Sequence, residues 1–390
     1  MSDNFDRLIN RRGTGSIKYD KMSFFFGRDD LQPLWVADMD FATPDFILEA
    51  LKMRMQHPIL GYTMRQDSFY ESFIHWAKRR YNWQVRREWL DFSPGVVGAL
   101  ALSVLSLTGE GDKIIIQPPV YHPFFDVVKG NNRQLVENPL KQDAEGNYQM
   151  DFEHLQSIID PQTKMIIIAN PHNPVGRVWR KDELEQLAEI AVKHNLIVLS
   201  DDIHADFVYR PNQYTPLANI SDAMAQQTIT VTSPSKTFNI AGLSTSIVVI
   251  PNTRFREKYR AKLKDMHLFL GNIFGNIAFE TAYTKGEDWL EALLTYLHGN
   301  IDFVISYLSE NIPAIKPVKP EGTFLMWLDF SGTSLSHEQI KNKLINEAKL
   351  ALNDGKSFGE NGEHYFRMNI ATPRSNIKTA LEKLLVFKQF

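Results

Sequence analysis

The chain of 390 residues contains no cysteine, which excludes disulfides, thiolate-bound metal and a cysteine nucleophile. It also lacks any uninterrupted apolar run near the roughly 18 residues that a membrane helix needs. The N-terminus, MSDNFDRLINRRGTGS, has no apolar stretch of the kind a signal peptide carries. A soluble, cytoplasmic protein without a membrane partner is expected. An excess of either charge is missing too: 43 Lys and Arg against 46 Asp and Glu give a formal net charge of -3. Nothing drives non-specific attraction to nucleic acid, and that partner is set aside. What is present is an ordinary globular composition, with 43% hydrophobic, 12% aromatic and 23% charged residues.

Residues 1 to about 33 read as an arm, with an aromatic cluster at Phe24, Phe25 and Phe26 that needs a surface to cover it, such as a partner subunit. Trp35 to Phe41 is a short apolar element broken by Asp38 and Asp40. Thr43-Pro44 reads as an N-cap followed by proline at the first helical position of a helix over 46–55. Gly61-Tyr62-Thr63 predicts a turn, and 68–81 a helix. Between Asp91 and about Pro251, short β-branched runs alternate with amphipathic segments. Strands are predicted over 113–117, 134–137, 165–169, 196–200, 228–232 and 245–250. The clearest helix is 181–194, where Leu184, Leu187, Ala188 and Ala191 recur at helical spacing. This alternation predicts a mostly parallel sheet covered on both faces. Helices then dominate (255–267, 273–283, 288–308), followed by strands at 323–328 and 365–370 and helices at 337–348 and 375–387.

Ligands of such sheets bind beyond the carboxyl ends of the strands, so the residues just after each run are the candidates. After 228–232 comes Ser233-Pro234-Ser235-Lys236-Thr237-Phe238-Asn239. A lysine among hydroxyls at a strand end can attack a carbonyl if its amine is kept neutral, and the hydroxyls can hold a phosphate. On its own the stretch also fits a surface lysine in a Ser-rich loop. After 165–169 comes NPHNPVGR, whose prolines stiffen a βα loop and in which Asn173 can offer its amide to a ligand oxygen. After 196–200 comes Asp201-Asp202-Ile203-His204-Ala205-Asp206. Asp201, first off the strand, suits a cation partner; solvent or structural roles fit Asp202 and Asp206. A metal cluster of Asp and His is the competing idea, without an evident further ligand set. At about 4 Å and an effective dielectric near 20, a carboxylate favours a cation by roughly 4 kcal/mol, about 3 pKa units. Ser93 to Leu100 is a glycine-containing turn into an apolar helix, whose free amides suit an anion. Tyr121 follows Pro118-Pro119, where its ring can stack on a planar group or pack in the core.

Taken together, NPHNPVGR, SDDIHADF and SPSKTFN in this order resemble the fold-type I pyridoxal phosphate enzymes, the class I/II aminotransferase superfamily, over nearly the whole chain. Within it, WVADMDF, PPVYHPFF and FRMNIATPR resemble the MalY/PatB group of cystathionine β-lyases, or C-S lyases. The resemblance implies an α/β large domain with a mostly parallel seven-stranded sheet, and a smaller α+β domain built from the N-terminal segment and the C-terminal part. The implied divisions are 1–45 (arm and part of the small domain), 46–285 (large, cofactor-binding) and 286–390 (small). It implies pyridoxal 5'-phosphate bound as a Schiff base to Lys236, which later acts as acid and base. Asp201 would face the pyridine nitrogen, Asn173 the phenolic oxygen and Tyr121 the ring, with His204 also at the cofactor. Ser233, Ser235 and the backbone at Val96 and Val97 would hold the phosphate, joined by Tyr62 from the other subunit of a homodimer. Arg367 would take the substrate α-carboxylate, with Ala37, Asn173 and Tyr62 also at the substrate; a solvent-exposed arginine is the alternative for Arg367. Two departures are evident. Asp202 stands where many relatives carry Glu, and Ser244 stands eight residues past Lys236, where aspartate aminotransferases carry a phosphate-binding arginine. The implied reaction is α,β-elimination on L-cystathionine or a related sulfur amino acid, with aminotransfer to a 2-oxo acid as the alternative and a regulatory role through protein contacts as a third.

Overall fold

The computed structural model describes residues 4–143 and 146–390. Its main sheet has seven strands: β1 (Leu90–Ser93), β2 (Lys113–Ile116), β3 (Gln134–Glu137), β4 (Thr163–Ala169), β5 (Ile197–Asp201), β6 (Thr228–Thr232) and β7 (Ser246–Val249). They lie in the order β1-β7-β6-β5-β4-β2-β3. Neighbours are parallel except at β7, which runs against both β1 and β6. The central strands are apolar on both sides because both sides are covered. Ile167, Leu199 and Ile229 pack with Leu100 and Tyr259 on one face, while Ile166, Ile168 and Val198 pack with Leu184 and Leu187 on the other.

The helices that matter below are α1 (Asp45–Met55), α2 (Asp67–Tyr81), α3 (Val96–Leu107), α4 (Lys181–Lys193), α5 (Thr253–Asp265), α6 (Ile273–Lys285) and α7 (Glu287–Asn311). A second, antiparallel sheet comprises β8 (Lys316–Val318), β9 (Leu325–Asp329), β10 (Asn353–Asp354) and β11 (Tyr365–Asn369), in the order β8-β9-β11-β10. Beside it the N-terminal segment forms a separate two-stranded sheet, Gln32–Pro33 pairing in parallel with Leu350–Ala351. No helix among the described residues is long and apolar enough to cross a membrane.

Two local expectations need correction. Pro44 is itself the N-cap of α1, and the Thr43 hydroxyl instead donates to the Asn239 carbonyl at 3.0 Å. Residues 58–66 run as an irregular exposed strand of chain, without the turn expected at Gly61 to Thr63. The aromatic cluster divides: Phe26 packs edge-on against Trp35 at 5.3 Å, whereas Phe24 stays 81% exposed.

Candidate active site

The carboxyl ends of β4, β5 and β6 and the N-terminus of α3 enclose a cavity of about 260 Å³. β6 delivers Lys236 through one helical turn, Pro234–Thr237. Ser233 caps that turn, its Oγ accepting from the Ser235 amide at 3.0 Å and donating to the Thr245 carbonyl at 2.7 Å. This folds the chain back over the sheet end, so Lys236 points into the cavity and its Nζ donates to the Ala37 carbonyl. Burial lowers the Lys236 amine to about 8; the nearby Arg367 charge acts in the same direction, against Asp38 and Asp201.

β5 ends on Asp201, which lines the cavity and is 3% exposed. Its Oδ1 accepts from the Ile203 amide at 3.2 Å, and burial raises its carboxyl to about 7 despite that bond and the Lys236 charge. Asp202 and Asp206 point elsewhere. Asp202 accepts from the hydroxyls of Ser200 and Tyr214, and Asp206 from Trp76, Tyr81 and Thr237. Both are buried, so the solvent option falls away and the structural one remains. Among the described residues no group of three or more His, Asp or Glu is arranged to hold a metal ion.

The loop after β4 brings Asn173 to the cavity wall, where its Oδ1 accepts from Arg367 Nη1 at 2.9 Å. Arg367, on β11, lies one layer behind. It is 3% exposed, which removes the surface-arginine alternative, and burial lowers its guanidinium to about 10. Nη2 donates to the Trp35 carbonyl at 3.0 Å and to Asn353 Oδ1 at 2.7 Å, while buried Nε has no partner. Tyr121 and His204 both line the cavity. Burial raises the Tyr121 phenol and keeps the His204 imidazole neutral, and His204 Nδ1 is buried without a partner.

The opposite end is built for an anion. Gly95 precedes α3 with φ of 96°, a backbone that favours glycine, and no side chain caps the helix. The first-turn amides of Val96, Val97 and Gly98 therefore lie free at the cavity, beside the hydroxyl residues Ser235, Ser244 and Thr245. Among the described lining residues, Lys236 is the only lysine or arginine. Ser244 and Thr245 were absent from the sequence-based set, and the signal for them was the missing arginine at position 244. Of the expected residues, Ser233 sits under the turn with its hydroxyl committed, and Tyr62 is 98% exposed, outside this chain's cavity. The arrangement offers a neutralisable amine and a buried acid short of a cation in one chamber, with an anion cradle at its end.

The aminotransferase class I and II family model matches residues 30–384, and the chain belongs to that family. Cystathionine beta-lyase PatB of Bacillus subtilis (strain 168) is 40% identical over 382 residues, 98% of this chain and 98% of that protein. Among solved structures, a PLP-bound protein from Clostridium difficile 630 superposes with a TM-score of 0.97 at 45% identity, covering 98% of this chain and 99% of that one. The PLP-bound C-S lyase from Staphylococcus hominis superposes with a TM-score of 0.93 at 33% identity, covering 100% of this chain and 98% of that one.

Proposed function

We propose that this protein is a pyridoxal phosphate-dependent carbon-sulfur lyase that cleaves L-cystathionine or a related sulfur amino acid to a thiol, pyruvate and ammonia. The observation that carries the reading is the pairing, in one cavity, of the half-buried Lys236, its amine lowered by desolvation, with the buried Asp201 carboxyl. The full-length likeness to cystathionine beta-lyase PatB supports the choice of reaction.

The residues fit the cofactor. Asp201, buried with one hydrogen bond to Oδ1, calls for a cation such as a protonated ring nitrogen. The α3 amides with Ser235, Ser244 and Thr245 suit a phosphate without needing an arginine, and Ser233 supports that wall through its bond to the Thr245 carbonyl. Asn173 has its oxygen engaged by Arg367, which leaves its amide N–H groups for the phenolic oxygen. Tyr121 provides a ring face, and the unpartnered Nδ1 of His204 is a further polar contact. Bound there, the cofactor supplies an aldehyde that links to amines and a cationic ring that draws electrons from the substrate Cα.

Lys236 carries that link and, once free, removes the Cα proton. An amine near 8 is neutral in about one molecule in ten at pH 7, against roughly three in ten thousand for an ordinary lysine. The proton then passes from Lys236 Nζ to the departing thiolate, and the released aminoacrylate hydrolyses to pyruvate and ammonia. Arg367, with its free Nε, takes the substrate α-carboxylate beside Asn173 and Ala37. The reading includes a cytoplasmic homodimer in which Tyr62 of each chain completes the partner's site, supported by its near-total exposure. The division at 1–45, 46–285 and 286–390 belongs to it as well, supported by β1 to β7 falling in the second part and β8 to β11 in the third.

Purified holoprotein given L-cystathionine is expected to release pyruvate and free thiol, and Lys236→Ala to lose both and to keep no covalently bound cofactor after borohydride. No product above a protein-free control ends the reading. The family match favours aminotransfer as the second possibility. Stoichiometric new amino acid on adding a 2-oxo acid, in place of pyruvate, would establish that instead.

A further inference from the structure

One charged cluster lies outside the roles assigned above. Lys18 is fully buried, a rare position for an ammonium. Its Nζ lies 2.9 Å from Asp40 Oδ2 and 3.4 Å from the Asp38 carbonyl. Arg11 closes the cluster, with Nη1 2.8 Å from Asp40 Oδ1 and 2.9 Å from Asp38 Oδ1. Tyr19 faces the same group. Both carboxylates belong to residues 35–41, and this segment is tied down along its length. Arg367 holds the Trp35 carbonyl; Asn369 holds those of Val36 and Asp38 at 2.7 and 2.6 Å; Asn239 holds those of Met39 and Phe41 at 3.0 and 2.8 Å. Between these anchors the Ala37 carbonyl accepts from Lys236 Nζ. Asn239 comes three residues after Lys236 and Asn369 two after Arg367, so the segment is tied both to the turn that carries Lys236 and to the strand that carries Arg367.

We propose that Lys18 and Asp40 are positioning residues for Lys236: their buried ion pair, with Arg11, sets the strap 35–41 so that the Ala37 carbonyl holds the Lys236 amine in one orientation whenever it is not bonded to the cofactor. This rests on Lys236 being the reactive amine of the proposed lyase. A buried ion pair is weak as a source of stability but strong as a constraint on geometry. Five donors from distant parts of the chain, Arg11, Lys18, Asn239, Arg367 and Asn369, then have one place to meet.

The test uses the full-length protein freed of cofactor. Lys236 is methylated with formaldehyde and cyanoborohydride between pH 6 and 10, and its peptide is quantified by mass spectrometry. The groups that face Lys236 are Asp38 from the strap, Arg367 from β11, Asp201 and His204 from the end of β5, and Tyr121. Burial is the largest influence on its amine, so a loosened strap that admits water moves the labelling midpoint upward. Lys18→Met is expected to raise it by at least about half a unit, about threefold less neutral amine at pH 7. The double variant Lys18→Met/Asp40→Asn, which leaves no unpaired charge from this pair, is expected to do the same even if the single variant folds poorly. A double variant that melts cooperatively and keeps the wild-type midpoint overturns the proposal. A shifted midpoint in a protein that shows no lyase turnover upholds the strap and removes only the lyase.

Discussion

Desolvation moves both Asp201 and Lys236 toward their neutral forms, the carboxyl upward and the amine downward. The Asp201 carboxyl stands near 7 in the fold against 3.8 when exposed. The folded chain therefore keeps a proton that the unfolded chain has released. Its stability is full below about pH 4, declines as the pH rises to 7 and is level beyond that. Lys236, near 8 against 10.5, has a cost that is complete below 8 and disappears above 10.5. The cofactor-free protein is thus least stable between pH 7 and 8, where a bound cation would relieve Asp201. Asp201→Asn without cofactor is expected to melt higher than wild type at pH 7.5, by roughly 2–4 kcal/mol. The gap should close as the pH falls toward 4. The same variant is expected to lose about 10³-fold in turnover, the equivalent of roughly 4 kcal/mol of ion pairing. Melting curves at several pH values with parallel pyruvate assays check both. A variant less stable than wild type throughout would mean that Asp201 is satisfied by the protein itself.

Helix α6 begins against the anion cradle with almost no clearance. The Asn272 side chain caps it, Oδ1 accepting from the Gly275 amide at 2.6 Å and Nδ2 donating to the Leu243 carbonyl at 2.7 Å. A Cβ on Gly275 would sit 2.0 Å from Thr245 Oγ1 and 2.7 Å from the Leu243 carbonyl oxygen. Alanine in a helix is ordinarily better than glycine by about 1 kcal/mol. Here overpacking of about 1–3 kcal/mol wins. Gly275→Ala is expected to lower the melting temperature and to weaken phosphate binding by displacing Thr245, read by cofactor titration; a higher melting temperature would refute this. Nothing in the sequence around Gly275 announces that contact, and the same holds for other elements fixed by remote partners. The central strands were legible because burial on both faces leaves an apolar run, and the cavity residues because they follow those runs directly. The start of α1 was misplaced because Asn239, far along the chain, claims the Thr43 hydroxyl. The strap 35–41 read as a short apolar element because its donors, Arg11, Lys18, Asn239, Arg367 and Asn369, are brought to it only by the finished fold. Hydroxyl residues next to a strand carry no pattern of their own, so for Ser244 and Thr245 the one signal was the arginine missing at position 244.

At the scale of the whole molecule, the end of α1 and its connection to α2 carry a run of exposed apolar side chains. Met53, Met55, Ile59, Leu60 and Met64 are each 60% or more exposed, within a dozen residues of one another, and Tyr62 stands among them. Isolated apolar side chains on a surface are unremarkable, but a contiguous group marks an interface. Obligate homodimers bury more than about 2,000 Å² and are rich in such residues. The protein is expected to migrate at about twice its chain mass of 44.9 kDa, and Ile59→Asp/Leu60→Asp to shift it toward the single-chain mass. If the proposed dimer shares its sites, turnover should fall with dissociation, since among the described lining residues this chain supplies only amides and hydroxyls besides Lys236 at the phosphate end. Tyr62→Phe separates the two effects: the mass should be unchanged while cofactor affinity falls about tenfold, the loss of one hydrogen bond to a charged group. Light scattering and cofactor titration on the two variants decide the matter. A dissociated double variant with full turnover would show that each chain works alone and that Tyr62 serves only packing.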